Sequence, residues 1–84
     1  MATQNPIPRA TVRLRRLKEG RVIFNDRKSV MSCLVRDLSE GGFRLKIGEP
    51  FRVPENFELE IHGQPPRPAR KVWIGVGELG AAFA

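Results

Sequence analysis

Asp37-Leu38-Ser39-Glu40-Gly41-Gly42 joins two runs that alternate between apolar and polar residues, residues 30–38 and Phe43-Arg44-Leu45-Lys46-Ile47. In the second run Phe43, Leu45 and Ile47 fall on one side and two cations on the other, the period of a half-buried strand. Two such runs across a short Ser/Gly-rich link predict an antiparallel hairpin. The link also carries chemistry. The Asp37 carboxylate accepts a pair of N–H donors, the Ser39 hydroxyl donates to a phosphate oxygen, and Gly41-Gly42 let a ligand approach the main chain closely. The same residues serve any hairpin connection, and residues 39–42 also read as a turn ending in a glycine bulge. Taken alone, the stretch leaves both readings open.

Outward from this hairpin the chain keeps the same grammar. Residues 20–25 bring Val22, Ile23 and Phe24 together ahead of an Asn25-Asp26 turn, which predicts a first strand. In residues 30–38, Met31, Cys33 and Val35 share one face while Val30, Leu34 and Leu38 occupy the other. Phe57-Glu58-Leu59-Glu60-Ile61 alternates again, and residues 69–74 and 79–83 give a fifth and a sixth strand across a turn at residues 75–77. Residues 48–56 hold Pro50 and Pro54 and predict a loop, with Phe51 and Val53 tucked under the core. Pro65-x-x-Pro68 reads as a stiff connection, and Trp73 as a core aromatic. No segment has helical spacing. The expected fold is all-β, a small six-stranded antiparallel barrel that removes exposed edges by closing on itself. Residues 19–84 form this barrel domain, behind a flexible basic N-terminal arm over residues 1–18.

The totals restrict function. Eighty-four residues suit one small domain, which favours a binding module over an enzyme with a deep cleft. The chain has one histidine, His62, one cysteine, Cys33, and no tyrosine, so no metal cluster, Cys–His pair or Ser–His–Asp set can be assembled. Neither catalytic nor metal-binding residues are expected. Cys33 reads as a small core residue, and His62 as a loop residue. A lone cysteine and a start without a basic-then-apolar leader point to a reducing cytoplasm. No run approaches the ~18 apolar residues of a membrane span. Of the net charge of +6, residues 1–18 hold Arg9, Arg13, Arg15, Arg16 and Lys18 with no acidic residue, and the remainder carries ten cations against nine acids. Charge gathered in one arm, rather than spread over a folded face, disfavours a general nucleic-acid surface. Arginine in such an arm suits bidentate phosphate capture and stacking on flat rings.

With these residues in place the chain resembles a PilZ domain, a family marked by Arg-x-x-x-Arg in an N-terminal arm and (Asp/Asn)-x-Ser-x-x-Gly one strand pair later. Asp37-x-Ser39-x-x-Gly42 fits the second motif in full. Val72-Trp73 and Gly80-Ala81-Ala82-Phe83 fit two later landmarks, over roughly residues 9–84. The arginine motif fits at Arg9-x-x-x-Arg13, and a register built on Arg15-Arg16 places Thr11 or Val12 at its first position. The resemblance implies a split barrel that binds cyclic di-GMP, the bacterial second messenger. In that picture Arg9, Arg13, Arg15 and Arg16 chelate phosphate and stack on guanine. Asp37 reads the guanine edge, Ser39 bonds phosphate or base, and Gly41 and Gly42 keep the surface low. Ordering the arm then alters contacts with an effector protein. The alternative is a degenerate PilZ-like adaptor that binds no nucleotide and acts through protein contacts.

Overall fold

Six strands wrap into a closed barrel in the order β1-β2-β3-β6-β5-β4 in the computed structural model, which describes residues 17–84. They are β1 (Lys18–Phe24), β2 (Ser29–Leu38), β3 (Gly42–Lys46), β4 (Asn56–Ile61), β5 (Arg67–Gly75) and β6 (Glu78–Phe83). Every neighbouring pair is antiparallel, and β4 closes on β1 through residues 58–61 against 20–23. The six-stranded antiparallel barrel expected from the alternation is therefore the fold. Among the described residues the helical structure is a single 3-10 turn at Pro50–Arg52, and no helix is long and apolar enough to cross a membrane.

The core follows from the period-two pattern. Val22 comes from β1, Cys33 and Val35 from β2, Phe43 and Leu45 from β3, Phe57, Leu59 and Ile61 from β4, and Leu79 and Ala81 from β6, all buried. Burying each large aliphatic or aromatic side chain contributes about 1.5–3 kcal/mol before chain entropy is counted, so these few residues carry most of the fold. Phe43 is their hub. Its ring meets Phe57 edge-on at 6.2 Å and Phe83 at a tilt at 5.0 Å, and the Arg67 guanidinium caps the Phe83 ring at 3.7 Å. Outside, cross-strand ion pairs Arg21–Glu60 and Arg27–Glu58 lace β4 to β1 and its following turn.

Four expectations change. β1 begins at Lys18 rather than Gly20, and β5 takes in Arg67 and Pro68 from what reads as a loop. Phe51 does not tuck under the core. The 3-10 turn leaves it 68% exposed, and Val53 alone fills that place. Trp73 is not a core residue either, being 43% exposed. Simple alternation from buried Ala69 would point Trp73 inward. The register shifts between Lys71 and Trp73, however, with Lys71 opposite Ala81 and Trp73 opposite Gly80. The extra residue, Val72, forms a bulge, and every side chain beyond it changes face.

Candidate functional site

A second bulge does the same thing in β2. Val35 pairs with buried Leu45, and Asp37 pairs with Arg44, which leaves Arg36 as the extra residue. Asp37 shares the inward parity of Val35 in sequence, but the bulge turns it to the outer face. The two bulges bring Asp37 and Trp73 onto one level of the barrel. Across four neighbouring strands the register runs Asp37 to Arg44, Arg44 to Gly80, and Gly80 to Trp73. Residues directly opposite in antiparallel strands project on the same side. This row therefore sets a carboxylate, a guanidinium, a bare backbone and an indole side by side on the outer wall. The next level runs Gly42 to Ala82 and Ala82 to Arg70. Gly42 and Ala82 thus make a low floor, with Asp37, Arg44, Arg70 and Trp73 around it.

Each motif residue also has a local task. Ser39 closes the hairpin. Its N–H donates to the Gly42 carbonyl at 2.9 Å, its Oγ donates to the same carbonyl at 3.2 Å, and the Gly42 N–H donates back to Oγ at 3.3 Å. Gly42 is required by close approach, since a Cβ there would stand 2.5 Å from the Ala81 carbonyl oxygen of β6. A Cβ on Gly41 would meet nothing within 4 Å, and the Gly41 carbonyl accepts from the Phe83 N–H at 2.9 Å. The Asp37 carboxylate forms an ion pair with Arg44 Nη2 at 2.5 Å, both groups about half exposed. Arg44 Nε is enclosed without a hydrogen-bond partner, an unsatisfied donor beside that pair. On the far side of the floor the Trp73 indole sits over Gly80, occupying the space that a Cβ would take.

Sequence reading names Asp37, Ser39, Gly41 and Gly42 as candidates, and the structure gathers them at one end of the β2–β3 hairpin. It does not name Arg44, Arg70 and Trp73, which the register places beside them. Arg44 was legible as outward-facing from the alternation of residues 43–47, whereas its neighbours depend on a register no single strand displays. Arg9, Arg13, Arg15 and Arg16 lie outside the described residues. The chain that carries them joins the barrel at Lys18, which pairs with Val35 just before the β2 bulge. A groove of about 750 Å³, lined by Gly20, Cys33, Ile47 and Gly77 with Glu19, Arg21, Lys46, Glu60 and His62, contains none of the motif residues. Its mixed charge selects no ligand class, and the flat outer wall is the better match to a planar one. No group of three His, Cys, Asp or Glu residues able to hold a metal ion occurs among the described residues. Burial pushes the Cys33 thiol up to about 12, as suits an inert core residue.

The sequence matches the family model of the PilZ domain over residues 8–83. Among solved structures, the barrel is similar to the crystal structure of the PilZ domain of CeSA from a cellulose-synthesizing bacterium. The TM-score is 0.63 at 22% identity, covering 82% of this chain and 76% of that one, a likeness of fold. No curated protein matches.

Proposed function

The chain belongs to the PilZ domain family, and on that premise we propose that it is a cyclic di-GMP receptor whose ligand lies on the outer wall between Asp37 and Trp73. PilZ domains are cyclic di-GMP receptors as a family, and they bind rather than catalyse. The observation that carries the reading for this chain is the row Asp37, Arg44, Gly80, Trp73 above the floor of Gly42 and Ala82. Cyclic di-GMP presents two flat guanines and two phosphates. A guanine edge offers adjacent N–H donors that one carboxylate accepts together, the role of Asp37. A floor of Gly42 and Ala82 lets a ring system lie against backbone, and the Trp73 indole, seated over Gly80, supplies a stacking wall. Arg44 and Arg70 stand where phosphate oxygens would come, and the unsatisfied Nε–H of Arg44 gives that side chain a reason to turn toward an anion.

The arm arginines complete the site in this proposal. Arg13 lies five residues before Lys18, so it reaches roughly 17 Å from the barrel. That is enough to fold over a ligand resting on Asp37. Arg9, Arg15 and Arg16 add charge for phosphate and a planar face for the second guanine. Arm ordering would be the signal, read by an effector protein, with location in the cytoplasm.

The second reading is a degenerate adaptor. One observation favours it: Asp37 is engaged by Arg44, and the Ser39 hydroxyl by Gly42, so the motif is satisfied without a ligand. Isothermal titration with cyclic di-GMP, with GTP and cyclic GMP as controls, separates the two. Selective, saturable heat that disappears in Arg13→Ala and Asp37→Ala supports the receptor. No heat and unshifted amide resonances leave the adaptor.

A further inference from the structure

Of the seven arginines among the described residues, Arg21, Arg27, Arg36, Arg44 and Arg52 each hold a carboxylate. The other two, Arg67 and Arg70, lie exposed on β5 and make neither an ion pair nor a side-chain hydrogen bond among the described residues. Exposure does not explain the difference, since the Arg21 and Arg27 side chains are mostly exposed and still paired. Arg67 is nevertheless held in place. Its Cζ stands 3.7 Å from the centre of the Phe83 ring, and Phe83 packs in turn on Phe43. The strand beneath it is fixed as well, the Ala84 N–H donating to the Pro68 carbonyl at 3.0 Å. A cation–π contact fixes a guanidinium without giving its N–H donors an acceptor atom. Both arginines stand one strand away from the motif hairpin. Phe83, under Arg67, donates its N–H to the Gly41 carbonyl at 2.9 Å, and Ala82, opposite Arg70, is also opposite Gly42.

We propose that Arg67 is a phosphate-binding residue, forming with Arg70 a barrel-side clamp on the phosphodiester groups of a bound cyclic dinucleotide. This rests on the receptor reading above and adds to it a residue outside both sequence motifs. Charge selects the ligand group. The guanidinium of Arg44 is already offset by Asp37, so Arg67 and Arg70 are the arginines of the described barrel whose charge is left for an anion. Two planar forks on one strand suit a ligand that brings two phosphates. Holding costs also favour Arg67. An arm arginine reaches phosphate only after the arm is ordered, whereas Arg67 is placed beforehand by the Phe83 ring and loses less freedom on binding. The barrel clamp therefore engages the ligand first, and the arm closes on a dinucleotide already held.

Calorimetric titration of the full chain with cyclic di-GMP tests it, comparing the native protein with Arg67→Gln, Arg67→Lys and the control Arg52→Gln, whose arginine belongs to the 3-10 turn and pairs with Glu49. The expected result is an affinity lowered at least about tenfold in Arg67→Gln, a smaller loss in Arg67→Lys, which keeps the charge and not the fork, and no change in Arg52→Gln. In the native protein the Arg67 Nε–H resonance should shift along the same isotherm as the Gly41 and Gly42 amides, a response that a mere cap on Phe83 would not give. Native binding with affinity intact in Arg67→Gln would overturn the clamp and leave the receptor standing. A stationary Arg67 Nε–H resonance during native binding would do the same, even if Arg67→Gln fails to fold. No binding by the native protein would remove the receptor reading and the clamp together.

Discussion

Trp73 lies directly across the β5–β6 ladder from Gly80, and its indole fills the space above that glycine. A methyl group at residue 80 would collide with Nε1 and Cε2 of the ring. The indole sits at the surface, so it yields more easily than backbone would. Gly80→Ala is expected to fold with a loss of about 1 kcal/mol, to shift tryptophan emission to the red as the ring lifts into water, and to weaken cyclic di-GMP binding. Emission unchanged from the native protein would mean that the ring is not held as described.

Gly42 and Gly41 stand next to each other and answer to different forces. A Cβ on Gly42 runs into the Ala81 carbonyl, which is backbone of β6 and cannot swing away, while one on Gly41 meets open space. Gly42→Ala is therefore expected to cost about 2–3 kcal/mol by forcing β3 from β6. Gly41→Ala should stay within about 0.5 kcal/mol. Denaturant melts of the two variants decide the matter. Equal losses would show that Gly42 is kept for the ligand alone.

The strand pattern was legible because it needs only local information. Phe57, Leu59 and Ile61 alternate into the core as written, as do Phe43 and Leu45. The candidate site was legible in part. Asp37, Ser39 and Gly42 form a spaced motif within one turn, whereas Arg44, Arg70 and Trp73 join it through inter-strand register. Two bulges hid that register, one at Arg36 and one at Val72, each turning a residue from the face its parity predicts. Nothing in the composition of either strand marks a bulge, since neither extra residue is a glycine.

The Asp37–Arg44 pair separates stability from binding. Both side chains are about half exposed, and exposed pairs of this kind contribute 0–1 kcal/mol, further weakened by salt. Asp37→Asn and Arg44→Ala should each melt within about 1 kcal/mol of the native protein, while each loses a charge-assisted contact to ligand and at least about tenfold in cyclic di-GMP affinity. Titration calorimetry beside thermal melts reads both quantities. A large stability loss with affinity intact would reassign the pair to the fold.

The β1–β2 turn holds three consecutive left-handed residues without glycine, Asn25, Asp26 and Arg27, at φ of 57°, 53° and 66°. L-residues adopt this region at a cost of roughly 1 kcal/mol each, eased for Asn and Asp. Arg27 is tied down by its paired contacts to Glu58 at 3.1 and 3.2 Å, so Asp26 is the residue free to be exchanged. Asp26→Gly is expected to stabilise the barrel by about 0.5 kcal/mol, the relief of strain outweighing the added freedom of the unfolded chain. A lower denaturation midpoint in this variant would show that the turn is not strained.

Cys33 provides a pH-dependent check on the barrel. Desolvation raises its thiol from 9.0 to about 12, so the folded state holds the proton more tightly than the unfolded chain does. Its contribution to stability is complete below pH 9 and declines as pH climbs from 9 toward 12, because only the unfolded chain ionises in that window. Cys33→Ala removes this decline, along with some core volume, and its stability profile between pH 9 and 11 should be flatter than the native one. At pH 8 the folded thiol should react with a disulfide reagent about a thousandfold more slowly than the denatured one, a factor of ten for each pK unit of lost thiolate. Rapid labelling of the native protein would mean that the groove beside Gly20 and Ile47 admits water to the sulfur.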